Sequence, residues 1–465
     1  MSAQSVIPTV PPCLPAACPG EAEGDRTRGQ DEPSAVGAVC GVVAAAARLA
    51  QVGQGGLLEC FAAVPDPRDP RGVRHSVASI LGLCTAAALS GQIELVDITA
   101  WVQAAPQEVL AAMGARRTGA GVYVAPHPDT IERLLEKVDA QDLADQTGRY
   151  LMARYLSAHP VPACEPGADP WAAGPDGTPR LRHGLAADGK ALRGAVGADE
   201  QIPYQFSVAT HTDTVVVGER AIGPKSNEVP AYQPLLRQVA ATTDLTGWVL
   251  TQDAGHTNRP TATFIVEDLH AHYVMIAKGN TPKTYAKLNA LPWQTTPIAH
   301  TTTDTGHGRR ERRTIRVLDA PEDLDWPHAQ QVFLIERTVE RTIYRRDKKS
   351  KKLKKTKVKH CVAALGMTSM TPTQAGPEHL MTYVRSHWAI ENKIHWVRDV
   401  TFREDASRVR TGSRPRIMAT LRHLVIGLIR QAGYTRIAAT IRKIRNSPHL
   451  IYALMGLPMT SQNTT

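Results

Sequence analysis

The chain has 465 residues, 42% of them hydrophobic and 21% charged. That is too long for a single hydrophobic core, and the balance is that of a globular protein rather than a disordered or fibrous one. Its net charge is +10, and nearly all of it sits in residues 345–359 (RRDKKSKKLKKTKVK), where eight Lys and two Arg stand against one Asp. Such a stripe favours a polyanion such as DNA; an ordinary solvated loop is the competing reading. The seven Cys are scattered with no CxxC pair, which signals neither a zinc knuckle nor a disulfide framework. The longest apolar runs, 35–47 and 78–90, fall short of the roughly 20 residues that cross a bilayer. No basic stretch precedes an apolar run at the N-terminus. A cytoplasmic, nucleoid-associated protein is expected.

In chain order, residues 1–33 are rich in Pro, Gly, Ser and charge and too poor in apolar groups to fold. Residues 34–53 read as an Ala-rich helix, so that 1–56 form a leader. VPDPRDPRGVRH (64–75) is a basic, turn-rich segment. SVASILGLCTAAALSG then reads as an apolar helix ending on Gly91. ELVDITAWVQ (94–103) reads as another, and PHPDTIERLLEKVDAQDLADQTGRYLMARYL as further helix capped by Asp129. Residues 57–158 are therefore expected to form a small all-α domain, followed by a Pro/Gly-rich linker over 159–181. Beyond it the period changes. LRHGLAADGK reads as a strand ending in Asp188, YQFSVATHTDTVVVGERAI (204–222) as a hairpin, and VPAYQPLLRQVA as a helix. GWVLTQD reads as a buried strand ending in Asp253, TATFIVEDLHAH as a helix, and YVMIAKGN as another buried strand. Alternating segments such as RTIRVLDA and QQVFLIERTVERTIYRR make about 292–370 a β-rich insertion. A helix then returns over 385–400, and 431–465 form a helical tail.

This order of elements is the ribonuclease-H-like one: a three-strand meander extended by parallel strands, with helices on its faces. The expected fold class is therefore α/β, with a ribonuclease-H-like catalytic domain over 182–430 preceded by the all-α domain. In that architecture the ends of the first and fourth strands lie side by side, and a late helix crosses near them. Asp188 ends the first strand and Asp253 the fourth. In the late helix, RSHWAIENKIHWVRDV, a 3.6-residue period gathers Ile390, Ile394 and Val397 on one stripe and His387, Glu391, His395 and Arg398 on the next. Glu391 then sits at the seam between core and cleft, where a carboxylate is costly unless a cation meets it. Three carboxylates at one sheet edge suit Mg²⁺, which takes a few carboxylates plus waters and phosphate oxygens. Two such ions about 3.5–4 Å apart can activate an attacking hydroxyl and stabilise the departing oxygen. Asp188, Asp253 and Glu391 are thus the expected catalytic and metal-binding residues. Alone, each Asp, standing beside a Gly or an Ala-Gly pair, is as readily a turn residue. Asp399, about 80° from Glu391 round the helix, is a rival for the third place, as are Glu404 and Asp405 beyond the expected helix end.

Seven segments carry a resemblance: DPRDPRGVRH (66–75), ADGKALRG (187–194), KSNE (225–228), QDAGHT (252–257), KGN (278–280), HGRRERR (307–313) and HWAIENKIHWVRDVTFREDASRVR (387–410). In these, over about 57–430 and in order, the sequence resembles the bacterial insertion-sequence DDE transposases of the ISAs-type or H-repeat-associated subgroup. The resemblance implies DNA cleavage and strand transfer at the terminal inverted repeats of a mobile element. It also implies Asp188, Asp253 and Glu391 as ligands of Mg²⁺, with Mn²⁺ as substitute, double-stranded DNA as partner, and a homodimer on DNA. Related DDE transposases carry a Tyr…Arg…Glu…Lys signature around the third acid. Here His387 stands at the Arg position, Arg398 at the Lys position, and Tyr383 is one position out of register.

DNA contacts are expected from Arg68, Arg71, Arg74 and His75 in the helical domain, to which end recognition is assigned. In the catalytic domain they are expected from Lys190, Arg193, Lys225, Lys278, His307, Arg309 and Arg313, with Glu228, His256 and Asn280 beside them. His387, His395 and Arg398 are expected at phosphates, since Mg²⁺ prefers oxygen to imidazole. Trp388 is expected to stack on a displaced base, a contact of about 1–3 kcal/mol. Each basic residue alone is as readily a solvated surface group, and Trp388 and Trp396 have core packing as their plainer role. A nuclease of the same fold that joins no strands, and a non-catalytic copy that only binds transposon ends, are the alternative functions.

Overall fold

The structure, a computed structural model, describes residues 56–163, 169–174, 177–196, 201–223, 228–306, 308–346 and 353–457. The leader up to residue 55, Lys225, His307 and residues 347–352 of the lysine-rich run lie outside the described residues. The N-terminal part is helical: α1 (Leu57–Ala62), α2 (Val77–Leu89), α3 (Leu95–Gln103), α4 (Gln107–Ala112), a two-stranded ribbon of β1 (Arg116–Arg117) and β2 (Tyr123–Val124), α5 (Pro128–Lys137) and α6 (Ala140–Ala158). Ser76 caps α2 by accepting from the Ser79 N–H, and Gly91, with φ of +83°, stops the chain where the sequence places the stop. At α5 the expected cap is displaced. Pro128 takes the first turn, where its missing N–H costs nothing, and His127 rather than Asp129 caps the helix.

Strands β3 (Gly184–Ala191), β4 (Tyr204–Thr210) and β5 (Val216–Ile222) form an antiparallel meander. After α7 (Glu228–Ala240), β6 (Val249–Gln252) adds to β3 in parallel. After α8 (Arg259–Thr263) and the π-helical turn that continues it to Asp268, β7 (His272–Ala277) adds in parallel to β6. Asp188 does not end its strand. Pairing with β4 carries β3 on to Ala191, whereas the parallel pairing with β6 stops at Ala186↔Thr251. Asp188 is an interior strand residue at the point where one neighbour has run out.

After α9 (Pro282–Asn289), the β-rich segment extends the same sheet through β8 (His300–Gly306), β9 (Arg309–Asp319), β10 (Gln331–Arg346) and β11 (Leu353–Thr368). β11 closes onto β7 through Leu365↔Ala277, so the nine strands run β5-β4-β3-β6-β7-β11-β10-β9-β8. β10 and β11 have 16 residues each. Leu353 precedes Leu365, the first residue of β11 paired to β7, by twelve positions. At about 3.3 Å per residue the hairpin projects about 40 Å past the end of β7, on the side of the sheet where Asp188 and Asp253 lie.

The chain finishes with α10 (Pro377–His387), α11 (Trp396–Val400), α12 (Arg414–Gln431), α13 (Ile437–Asn446) and α14 (His449–Met455). One sheet face is covered by Leu235, Phe264 and Leu288, which pack on Leu185, Phe206 and Tyr273. α10 covers the other through Leu380, Met381 and Tyr383 on Val249, Val274 and Phe333. The N-terminal helices are not closed on themselves, as an independent domain would be. A single core joins Leu81, Ile98, Leu134 and Leu151 to Leu421, Leu424, Ile441 and Leu454. The reason lies in α2, which is buried at every position but Ala78; a helix apolar all round needs partners on every side, and the C-terminal helices supply them. Among the described residues no helix is long and apolar enough to cross a membrane.

Candidate active site

Strand alternation puts Asp188 on the same sheet face as Ala186, and there Ala186, Ala209 and Val216 receive Ile390 and Ile394. Asp253 is the first residue past β6. Its turn is held by Thr257 Oγ1, which donates to the Asp253 carbonyl (3.0 Å), and by Asn280 Nδ2, which donates to the Thr257 carbonyl (3.0 Å). Asn280, expected at DNA, is thus a brace for the turn. Glu391 begins a π-helical segment, Glu391–His395, between α10 and α11. Its hydrogen bonds span five residues instead of four, a form that recurs at functional sites. The wider turn breaks the polar stripe expected from a 3.6-residue period. His387, His395 and Arg398 are buried, whereas Glu391 remains exposed.

The three acids lie 65 and 138 residues apart in the chain, yet the charges of Asp253 and Glu391 both bear on Asp188. Burial raises Asp188 first, and the charges of Glu228, Asp253 and Glu391 add to it. A hydrogen bond from the Gly189 N–H to Oδ1 (2.8 Å) opposes them, and the balance leaves Asp188 at about 7. In the unfolded chain an Asp titrates near 4. The folded, cation-free chain therefore holds this proton more tightly, and between about pH 4 and 7 rising pH favours the unfolded chain. Asp253 is the opposite case. Burial works to raise it, but His256 outweighs burial, with Nδ1 2.6 Å and its backbone N–H 3.1 Å from Oδ1, and holds Asp253 at about 2. Against its own burial His256 is raised to about 9 by Asp253 and by Glu228, whose Oε2 lies 2.8 Å from Nε2. The result is an imidazolium between two carboxylates. Asp188 has a histidine too, His395, with Nδ1 3.4 Å from Oδ2. That ring is neutral, because burial first, and then Arg398, His423 and Lys190, push it well below its ordinary value. Behind both acids Thr251 Oγ1 meets His211 Nε2 (2.9 Å) and His387 Nδ1 (3.2 Å), two rings that burial lowers to about 3 and about 4.

The rivals of Glu391 are already engaged. Asp399 Oδ2 accepts from Lys190 Nζ at 2.7 Å, and Asp405 lies 3.8 Å from the same ammonium. Glu404 is buried between Arg398 (2.6 Å) and Arg422 (2.8 Å). Among the described residues Glu391 has no ion-pair partner, so it is the acid of this helix left to meet a cation from outside. Carboxylate oxygens are the donors a hard cation takes, and the crowding that raises Asp188 is the crowding such a cation would relieve. Among the described residues no three His, Cys, Asp or Glu side chains are gathered in ligand geometry around one point. All three of Asp188, Asp253 and Glu391 are carboxylates, the donor type a hard cation takes.

Of the residues expected at DNA, Arg71, Arg74, Arg193, Lys278, Arg309 and Trp388 are exposed. The other described ones are engaged within the chain, and Lys225 and His307 lie outside the described residues. Arg68 folds back on Asp66 (2.7 Å) and the carbonyl of buried His75 (2.7 Å). Lys190 neutralises Asp399, and Arg313 is paired with Asp304 and Glu311. Arg398 is 0% exposed and gives all its nitrogens to Glu404, His423 and Gln205. His387 and His395 are spent on Thr251 and Asp188. Charge and spacing do not reveal a pair such as Lys190 and Asp399, whose members are 209 positions apart. In the Glu228–His256–Asp253 row, His256 and Asp253 are only three positions apart, and Glu228 is the member the sequence does not place.

A family model described as "Transposase DDE domain" matches residues 176–428, and one described as "DDE_Tnp_1-associated" matches residues 58–151. YncI of Escherichia coli O157:H7, which carries a transposase name, is 25% identical over 390 residues, covering 80% of this chain and 87% of its own length. The H repeat-associated protein YhhI of Escherichia coli strain K12, also named for a transposase, is 25% identical over 261 residues, 53% of this chain and 63% of its own. Among solved structures, the piggyBac transposase synaptic complex with hairpin DNA aligns with a TM-score of 0.36 at 10% identity, covering 86% of this chain and 78% of that one.

Proposed function

This chain belongs to the DDE transposase family, and from that premise we propose that it nicks the terminal inverted repeats of an insertion sequence and transfers the freed 3′-hydroxyl ends into target DNA. The main support is that the charges of Asp253, from a turn, and Glu391, from a helix, both bear on the strand residue Asp188. The meander with β6 and β7 beside it supports a ribonuclease-H-like catalytic domain, carrying β8–β11 as its extension. Mg²⁺, with Mn²⁺ as substitute, is the proposed cofactor, held by the three acids; when bound in the two-ion manner it supplies charge stabilisation for in-line phosphoryl displacement. The chain's own residues do the positioning. Asp253 offers an ionised carboxylate throughout the working pH range, Asp188 gives up its proton near neutrality, and exposed Glu391 approaches from the helix side. Trp388, 51% exposed three residues before Glu391, is the proposed stacking surface for a displaced base. Arg193, Lys278 and Arg309 hold phosphates, Arg71 and Arg74 serve end recognition, and a second copy of the chain holds the other end.

Purified protein incubated with duplexes carrying its own flanking repeats tests this. Nicks at the repeat ends that require Mg²⁺, and joining of a pre-cut 3′-hydroxyl end to a second duplex, are expected. Nicking without joining would make the chain a nuclease, and end binding with neither would make it a binding protein.

The projecting hairpin bears on how DNA is held. Lys355, Lys357 and Lys359 stand opposite Tyr344, Thr342 and Glu340, alternate positions that share one face. Arg310 and Arg312, paired to Glu340 and Thr338, share it too. In the proposed function that face follows a DNA backbone. Replacing the three lysines by Gln is expected to flatten the plot of log affinity against log salt by up to about 2.7, at about 0.9 for each phosphate left without its lysine. An unchanged slope would leave the hairpin as a solvated ribbon.

A further inference from the structure

His256 is 4% exposed and meets three groups: Asp253 Oδ1 through Nδ1 (2.6 Å), Glu228 Oε2 through Nε2 (2.8 Å), and the face of Phe206, with ring centroids 5.2 Å apart. A ring hydrogen-bonded at Nδ1, in ion-pair contact at Nε2 and stacked on an aromatic is held in one orientation. Its backbone N–H donates to the same Asp253 oxygen (3.1 Å). Oδ1 therefore receives two donors, and Oδ2 receives none among the described residues. Glu228 is held as well. It is the first residue of α7, and its carboxylate lies over Gly189, so close that a Cβ there would overlap Oε1 and Cδ. Only glycine beside Asp188 leaves room for it.

We propose that Glu228 and His256 are positioning residues for the cation site: Glu228 anchors the imidazole, the imidazole fixes Oδ1 of Asp253, and Oδ2 is left free for the cation. The proposal rests on the reading of Asp253 as a cation ligand. It assigns Glu228 no ligand role, since Oε2 is spent on His256 and Oε1 packs over Gly189. Partners that orient a ligand typically contribute 10–100-fold to metal affinity, because the ligand then meets the ion without first losing rotational freedom.

Mn²⁺ titration of the full-length protein, followed by the electron-spin signal of the free ion and with thermal unfolding as a check on folding, tests it. Asp253→Asn is expected to abolish binding; undiminished binding there would remove the reading of Asp253 itself. His256→Leu is expected to weaken binding about 10–100-fold. His256→Asn, whose amide nitrogen replaces Nδ1 as a donor, should recover most of that loss. Glu228→Gln, which keeps an acceptor for the ring, should bind more tightly than Glu228→Ala. Wild-type affinity in His256→Leu, with binding lost in Asp253→Asn, would overturn the proposal. So would equal losses in the Leu and Asn variants, which would make the ring a packing element. A loss in Glu228→Gln as complete as in Asp253→Asn would overturn it too, by making Glu228 a ligand. Should His256→Leu fail to fold, the comparison of His256→Asn with Glu228→Ala decides.

Discussion

Asp188→Asn is expected to lower Mg²⁺-dependent nicking by roughly a thousandfold or more, with end binding changed by no more than a few-fold. Asn keeps the volume and an acceptor for the Gly189 N–H, which now lies 2.8 Å from Oδ1. It lacks the anionic oxygen a cation needs. The fold should not suffer, because the lost charge is the one that burial, Glu228, Asp253 and Glu391 all oppose. Binding to a phosphate chain should not suffer either, since a nearby negative charge has been removed. The same residue sets a pH dependence. Asp188 holds its proton below about 7, and a ligand must shed its proton to bind a metal. Wild-type cation affinity should therefore rise as pH passes upward through about 7, and the variant should lose that step. Mn²⁺ titrations at pH 6 and 8, beside nicking and gel-shift assays, check both. Equal loss of nicking and binding would mark Asp188 as structural.

Arg398→Ala is expected to cost about 3–5 kcal/mol of stability, the usual result of stripping a buried charge of its partner. Arg398 and Arg422 together balance Glu404 and Glu219, and all four are buried. The guanidinium also donates to Nε2 of His423 (2.8 Å), whose Nδ1 lies 2.8 Å from Glu219 Oε1. Taking one arginine out leaves a carboxylate in the core with no cation. The network ties the helix that follows Glu391 to β4, β5 and α12, so its loss should also loosen Glu391. Urea unfolding reports the stability, and DNA affinity measured well below the unfolding midpoint should be unchanged. The reverse result, intact stability with weakened DNA binding, would restore Arg398 as a phosphate-binding group.

The kinds of element, their order, and the two aspartates at one level of the sheet were legible because they depend on near neighbours. A strand buried on both faces shows an apolar run, and β6 and β7 show one. The late helix was legible as a helix but not as to which of its residues are exposed. The π-helical segment at Glu391–His395 answers to Ile390 and Ile394 seating on Ala186, Ala209 and Val216, and those come from strands far away in the chain. A 3.6-residue period applied to the local residues cannot register that seat.

By itself, then, the sequence determined most of the helices and strands, where the acids fall, and that the positive charge is concentrated in residues 345–359. Propensity, alternation and composition are local properties, and a linear chain displays them. Only the tertiary structure decided which charges are neutralised at home: Lys190 by Asp399, Arg398 by Glu404, Asp253 by His256, with Glu391 left unpaired among the described residues. It also decided that helices from both ends of the chain share one core. Pairing energy depends on distance in space and on exclusion of water, and neither quantity is written in residue order.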